Sequence, residues 1–486
     1  MLSLLLIVVI IVSVVGVVAA IIVSFSGLIV PSNLALILAP EEKEPAIIKD
    51  SALRAEVLVD GLKFPTSIAF LGPDDMLVLE KDNGNVKRIV HGEILKKPLL
   101  DVEVANELNR GMLGIAIGNQ TEKNTAGETN RYIFLYYTES SGHDGNDECT
   151  TPVSCTEGSD PKGNRLYRYE LNDQGVLVNP KLLLDLPATP GAEHVGGIIK
   201  IGPDNNIYLT GGDGHSCTVV NADTCKKSKL NKTILYSQTS NVQNGSPPAE
   251  RGGILRINQN GQTVQEGILG KGDPLEKYYA YGIRNSFGMD FDPITGNLWD
   301  TENGPSFGDE INLVEPGFNS GWLRIQGIWP IDNSDLLIDG YTPYRGYISK
   351  GSENVTAATG NLADFHGNGK YSDPEFVWNQ SVGVTGLKFL NSTKLGKVYE
   401  NDMFVGDFQG NVYHFDLNED RTALSLNGTL KDKVADSSER RGLQDIIFGQ
   451  GFGIITDIEV GPDGYLYVVS FLQGVQGKIF KIVPRL

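Results

Sequence analysis

From Leu2 to Val23 the chain carries no charge and consists mostly of Leu, Ile and Val. At about 1.5 Å per residue a helix of that length reaches about 33 Å, enough for a bilayer core of about 30 Å. Residues 1–30 therefore read as a retained single transmembrane anchor. A cleaved secretory signal ending near Ala19 and Ala20 is the rival. No Lys or Arg precedes the apolar run, and the run exceeds a typical signal core, which favours retention. Residues 31–52, with the acidic stretch Glu41–Glu44, read as a solvated linker.

Beyond the linker the pattern switches to alternating apolar and polar positions broken by short turns. An alternating strand, a Gly-Pro-Asp turn and a second strand recur from Ser67 to Lys81, Ile198 to Gly211 and Asp457 to Phe471. A variant runs from Gly288 to Thr301, and two looser copies begin at Gly114 and Gly386. A further strand trails these copies, as at Val86, Arg165, Gly253, Asn411 and Lys478. Proline presets such a turn and Asp or Gly tolerates it, so each copy predicts a hairpin. Six copies of a four-stranded unit predict an all-β, six-bladed propeller over residues 53–486. A pair of β-sandwiches leaves the repetition unexplained. The long insertions near Gly118–Gly163, Cys217–Arg251 and Trp322–Trp378 fall on loops, where sites form.

Composition narrows the function. Lys and Arg number 41 against 60 Asp and Glu, a net charge of −19, so phosphate backbones are repelled and nucleic acid is a poor partner. Glycine, at 57 of 486 residues, suits many tight turns and excludes a helical bundle. Close spacing in polar loops pairs Cys149 with Cys155 and Cys217 with Cys225, one of three connectivities. A zinc site is the rival, but neither pair has the two-residue spacing of a zinc knuckle. Asn119, Asn231, Asn244, Asn354, Asn379, Asn391 and Asn427 each begin a glycosylation sequon. These features agree with an extracytoplasmic, cell-surface protein. His143, Asp144, Asp147 and Glu148 beside Cys149 read as a solvated loop before a metal site. His215 lines the same rim as Asp213. There is no phosphate loop, nucleophile elbow or His-Glu-x-x-His.

Three stretches carry chemistry: Arg110–Ile117, Glu193–Gly214 and above all Ala280–Trp322, which contains Gly-Ile-Arg-Asn and Glu-Asn-Gly-Pro. Together they resemble the quinoprotein soluble glucose dehydrogenase and aldose sugar dehydrogenase family. The resemblance covers nearly all of the chain after the linker. It implies six-bladed propellers that use pyrroloquinoline quinone (PQQ) and calcium, with a sugar as substrate and a separate electron acceptor. His194 matches the family's catalytic base, Asp213 the carboxylate that orients it, and Arg284 and Asn285 the pair contacting the quinone. Gly304 and Pro305 match main-chain calcium ligands, with Asp309 tuning that site. A neutral imidazole held by a carboxylate suits proton removal, and an Arg suits arriving negative charge. Each has a plainer reading as well: a satisfied structural histidine, an Arg–carboxylate tie between blades, an ordinary loop.

The chain also departs from the family. Asn109 stands where the family has glutamine. Phe408 or Gln409, in the Asp407 turn, stands at a family lysine, and Ile454 and Thr456 stand at family arginines. PQQ carries three carboxylates, and losing charge-assisted contacts of roughly 1.5–3 kcal/mol each weakens its binding by orders of magnitude. Arg440 and Arg441 are possible replacements from a loop. Two functions follow: a membrane-anchored PQQ-dependent sugar dehydrogenase, or a non-catalytic surface propeller serving as a binding module or membrane-complex subunit. A lactonase-type propeller has less support, since central acidic metal ligands are not apparent. Fold alone does not choose among them.

Overall fold

The computed structural model describes residues 46–118, 131–142, 160–189, 191–214, 240–245, 248–264, 267–305, 307–330, 360–436, 440–472 and 476–485. The expected anchor, all four cysteines, Asn119, Asn231, Asn354, the His143–Glu148 cluster and His215 lie outside these, as do the side chains of Arg440 and Arg441. Among the described residues no helix is long and apolar enough to cross a membrane.

The protein is an all-β propeller, as the repeat predicts. Its sheets begin in turn with Pro65–Gly72, Met112–Ile117, Ile199–Ile201, Ser286–Phe291, Val384–Phe389 and Ile454–Val460. Each of these strands packs beside the one opening the next sheet, and Ile454–Val460 packs back against Pro65–Gly72. The ring is closed by Leu53–Leu62, which pairs antiparallel with Gly477–Pro484 and so joins the two ends of the folded unit. That unit starts at Ala46, within the expected linker, because Ile47–Ile48 pairs with Ile447–Gln450. Among the described residues each of these six sheets has at least four strands, and Ile325–Gln326 pairs separately with Trp329–Pro330. The sheet beginning at Ile199 gains Phe318–Asn319 and Lys370–Tyr371, both in parallel pairing.

The Gly-Pro-Asp turns show why the phrase repeats. At Asp204 and Asp463 one carboxylate oxygen accepts the N–H two residues on, from Asn206 (3.1 Å) and Tyr465 (3.3 Å). The other accepts the hydroxyl of Tyr208 (3.0 Å) or Tyr467 (2.9 Å). Asn205 and Gly464 follow with φ of 62° and 82°, the left-handed region that Asn and Gly tolerate best. Each turn is thus pinned to the strand it launches. Between sheets the alternating apolar faces interlock, as where Trp299, Phe376 and Trp378 meet Phe389, Tyr413 and Phe415. Burial of these aromatic faces holds the ring rigid enough to present loops at fixed positions.

Candidate functional site

The loop before Ile199–Ile201 carries His194 in the left-handed region, at φ 51°. That conformation is strained for a histidine, and its surroundings hold it there. Its N–H donates to Asn109 Oδ1 (3.0 Å), and its carbonyl accepts the Gly214 N–H (3.2 Å). A Cβ on Gly212 would lie 2.0 Å from that same carbonyl, so the Gly-Gly-Asp-Gly run is a close-approach requirement. Nδ1 of His194 lies 2.6 Å from Asp213 Oδ1. Asp213 is fully buried, and its other oxygen accepts the indole N–H of Trp322 at 2.7 Å. With Nδ1 donating to the carboxylate, Nε2 is left as the basic nitrogen.

The Asp213 N–H donates to the Arg284 carbonyl (2.8 Å), which ties this loop to the next sheet. Arg284 is buried, donates to the carbonyls of Asn303 (2.8 Å) and Gly304 (3.0 Å), and lies 5.4 Å from the Trp322 ring centroid. Its buried Nε has no protein acceptor. The Asn285 side chain donates to Asn303 Oδ1 (3.3 Å), and Asn303 in turn donates to the Val384 carbonyl (2.7 Å). His194, Asp213, Arg284, Asn285 and Gly304 therefore form one bonded cluster, with Trp322 as its hub. Pro305 adjoins it as the residue after Gly304.

Asn109 and Asp309 both hold main chain of the site. Asn109 holds the His194 backbone. Asp309 is fully buried and accepts five donors: Gly304 N–H (2.8 Å), the Ser381 hydroxyl, and the N–H groups of Val382 (2.9 Å), Gly383 (2.7 Å) and Val384 (3.3 Å). It reaches the site through the Gly304 N–H and, by way of Val384, through Asn303. At the departure positions, the Asp407 carboxylate is taken by Asn411 and Tyr413, and Phe408 and Gln409 face solvent. Thr456 is buried, its hydroxyl on the Pro65 carbonyl (2.9 Å).

Sequence reasoning passed over four features. Trp322 had only its place in the long fourth stretch as a signal. Glu193, next to His194, is lifted to about 7 by burial, with Arg284 pulling down and Asp213 and Glu107 pushing up. Arg251 lines a cleft beside His194. Asp300, Glu302 and Glu310 are buried on one face of paired strands, Glu302 opposite Glu310. Glu302 accepts the Arg284 N–H (2.7 Å) and the Ser320 hydroxyl (2.6 Å). Ser286 and Asn312 lie beside the Asp300 carboxyl and draw its pKa down against the burial. Burial raises Asp300 to about 7 and Glu310 to about 8, and moves Glu302 the same way. Carboxyls so placed either keep their protons or hold a cation, and hard oxygens of this kind suit calcium.

Residues 62–329, more than half of the chain, match the glucose/sorbosone dehydrogenase family. The chain belongs to that family. It is 25% identical over 453 residues to the aldose sugar dehydrogenase YliI of Escherichia coli (strain K12), covering 91% of this chain and 97% of YliI. Against quinoprotein glucose dehydrogenase B of Acinetobacter calcoaceticus it is 28% identical over 279 residues, 56% of this chain and 52% of that protein. Two solved structures share the fold. The soluble aldose sugar dehydrogenase from Escherichia coli in the apo form has a TM-score of 0.59 at 23% identity, covering 89% and 100% of the two chains. The PQQ-bound aldose sugar dehydrogenase from Streptomyces coelicolor has a TM-score of 0.54 at 18% identity, covering 89% and 98%.

The donor set at Arg284 and Asn285 fits the dione end of a quinone. Arg284 keeps a buried N–H with no protein acceptor, and the Asn285 amide lies beside it. The carboxylate end is a poorer match, because Ile454 and Thr456 offer no cation.

Proposed function

We propose that this family member is a membrane-anchored, extracytoplasmic PQQ-dependent aldose dehydrogenase built on six blades. The single observation that carries the reading is the His194–Asp213–Trp322 relay set against Arg284. When bound, PQQ supplies the two-electron hydride acceptor. His194 Nε2 takes the proton of the anomeric hydroxyl as the C1 hydrogen leaves as hydride, and the sugar departs as its lactone. Asp213 fixes the tautomer and stabilises the imidazolium that forms, while Trp322 fixes Asp213. Arg284 would place positive charge beside a bound acceptor, and Asn285 would offer its amide to it. Calcium would be held at the Gly304 and Pro305 carbonyls, the first of which also accepts from Arg284, with the buried Asp300, Glu302 and Glu310 as hard oxygens on the adjoining strands. Glycans on the exposed Asn244, Asn391 and Asn427, and at the half-buried Asn379, fit an exported chain.

The test uses the full-length chain in detergent, titrated with PQQ and calcium by calorimetry and then assayed with glucose and an artificial acceptor. Binding together with sugar-dependent reduction of the acceptor supports the reading. His194→Ala should then lower the rate by about 10²–10⁴-fold. The uncharged Ile454 and Thr456 favour the second reading, a surface propeller that binds a partner without catalysis. No PQQ binding at millimolar calcium decides for it.

A further inference from the structure

The hairpin Met403–Asp407 and Asn411–Phe415, in the sheet that begins at Val384, has two ends of different use. At one end Asp407 pairs with Val384, whose N–H donates to Asp309, so that end adjoins the site. The open end, where Met403 pairs with Phe415, lies about 13 Å away at about 3.3 Å per residue. Asp402 precedes that pair, Asp416 follows it, and His414 sits one residue before Phe415.

These three side chains converge. His414 Nε2 lies 2.9 Å from Asp402 Oδ2 and 3.5 Å from Asp416 Oδ1. One ligand atom from each residue falls within 4.8 Å of the other two. A tetrahedral zinc ion with bonds of about 2.0–2.1 Å has ligand-to-ligand edges of about 3.3 Å, which the two imidazole distances bracket. Asp416, with a side chain 61% exposed, is free to swing inward and leaves a fourth position open to water. The imidazole is held in its direction: Tyr399 meets it edge-on at 5.1 Å, and Phe404 packs against it at 5.1 Å. The Tyr399 hydroxyl donates to Asp50 Oδ2 (2.9 Å), which ties that ring to the segment leading into Leu53–Leu62.

Charge points the same way. Among the described residues no Lys or Arg lies within ion-pair distance of Asp402 or Asp416, so the imidazole is the basic group they share. Burial raises the Asp416 carboxyl; His414 opposes that, and Asp402, within hydrogen-bond reach, adds to it. Two carboxyls in contact share a proton or a cation. One imidazole nitrogen with two carboxylate oxygens suits zinc, whereas calcium asks for about six or more oxygens.

We propose that Asp402, His414 and Asp416 form a zinc site that pins the open end of this hairpin. It stands apart from the dehydrogenase centre. Its role is to hold the sheet on whose edge the first strand, Ile47–Ile48, is laid.

The experiment titrates zinc chloride by calorimetry into the full-length chain in detergent, stripped with EDTA and dialysed, with calcium chloride as the competing probe. Wild type is compared with His414→Gln and Asp416→Asn, so that zinc taken up elsewhere in the chain cancels. Wild type should bind one zinc more than His414→Gln, with micromolar affinity or better. Asp416→Asn should weaken that site at least about tenfold, since losing a ligand costs no less than losing a group that supports one. Zinc at about 100 times its dissociation constant should raise the melting temperature of the wild type by about 3 °C and leave that of His414→Gln unchanged. Zinc uptake equal in wild type and both variants, a wild-type melting temperature indifferent to zinc, or calcium bound at this site as tightly as zinc overturns the proposal. Should His414→Gln fail to fold, Asp416→Asn decides, because its change falls on an exposed side chain. No readout involves a sugar or PQQ, so the dehydrogenase reading stands or falls separately.

Discussion

Asp309→Asn removes one charge and changes almost no volume, yet five donors converge on the carboxylate it replaces. An asparagine has one acceptor oxygen. Turned toward the three N–H groups of Val382, Gly383 and Val384, it faces its own NH2 toward Gly304. The Gly304 N–H is then buried without an acceptor, which costs about 1–3 kcal/mol. The three remaining bonds lose charge assistance, about 0.5–1 kcal/mol each, for a total of about 2.5–6 kcal/mol. At about 2.1 cal/mol/K per residue, a unit of about 440 residues has an unfolding entropy near 0.9 kcal/mol/K, so melting should fall by about 3–6 °C. Calorimetric melting of wild type and variant measures this directly. Ser381→Ala deletes one donor and strands nothing, so its shift should be smaller. An Asp309→Asn variant that melts within about 1 °C of wild type, or one no worse than Ser381→Ala, refutes the assignment of Asp309 as the knot between the Gly304 loop and the Ser381–Val384 strand entry.

Gly212→Ala should abolish acceptor reduction while the far-UV circular dichroism stays that of a folded propeller, because the new Cβ would lie 2.0 Å from the His194 carbonyl and must displace the base. The Glu193 carboxyl, lifted to about 7 by burial, is a raised acid: its contribution is whole below the unfolded value and is lost as pH climbs through about 7. Glu193→Gln should therefore flatten the fall in urea midpoint between pH 5 and pH 8. Asp300 and Glu310 rise to about 7 and about 8 for the same reason, so stability they lose with rising pH is recoverable by a cation that displaces their protons. Calcium should raise the melting temperature more at pH 8 than at pH 5, and Glu310→Gln should shrink that difference; a calcium response independent of pH contradicts the link.

The hairpins were legible because their chemistry is local: Gly-Pro-Asp with a tyrosine four residues after the Asp contains every group that the turn at Asp204 uses. The closure of the ring by Leu53–Leu62 was not, since its partner Gly477–Pro484 lies at the far end of the chain and nothing in either strand names the other. His194 and Asp213 could be picked out because one motif brackets both. Trp322 could not, since it reaches Asp213 across 109 positions. Asp309 was legible as a residue of the site but not in its role, because its partners on residues 381–384 are mostly main-chain N–H groups that leave no trace in the side-chain pattern. The inward carboxylates Asp300, Glu302 and Glu310 look in sequence like ordinary polar positions of alternating strands. Only the cross-strand register puts them on one buried face.

The missing clamps come down to where positive charge sits in this chain. At Thr456 the hydroxyl bonds the Pro65 carbonyl and joins the last sheet to the first, so that position serves the ring and carries no charge. At Asp407 burial raises the carboxyl, and Asn411 and Tyr413 occupy it, so the adjoining turn presents Phe408 and Gln409 outward. On the opposite flank Arg110 is buried, donating to the Ala188 and Gly191 carbonyls (2.6 and 3.0 Å) and so bracing the loop that leads to His194. Arg251 reaches the same loop at Thr189. The guanidinium groups of this site therefore gather around the histidine loop and Arg284.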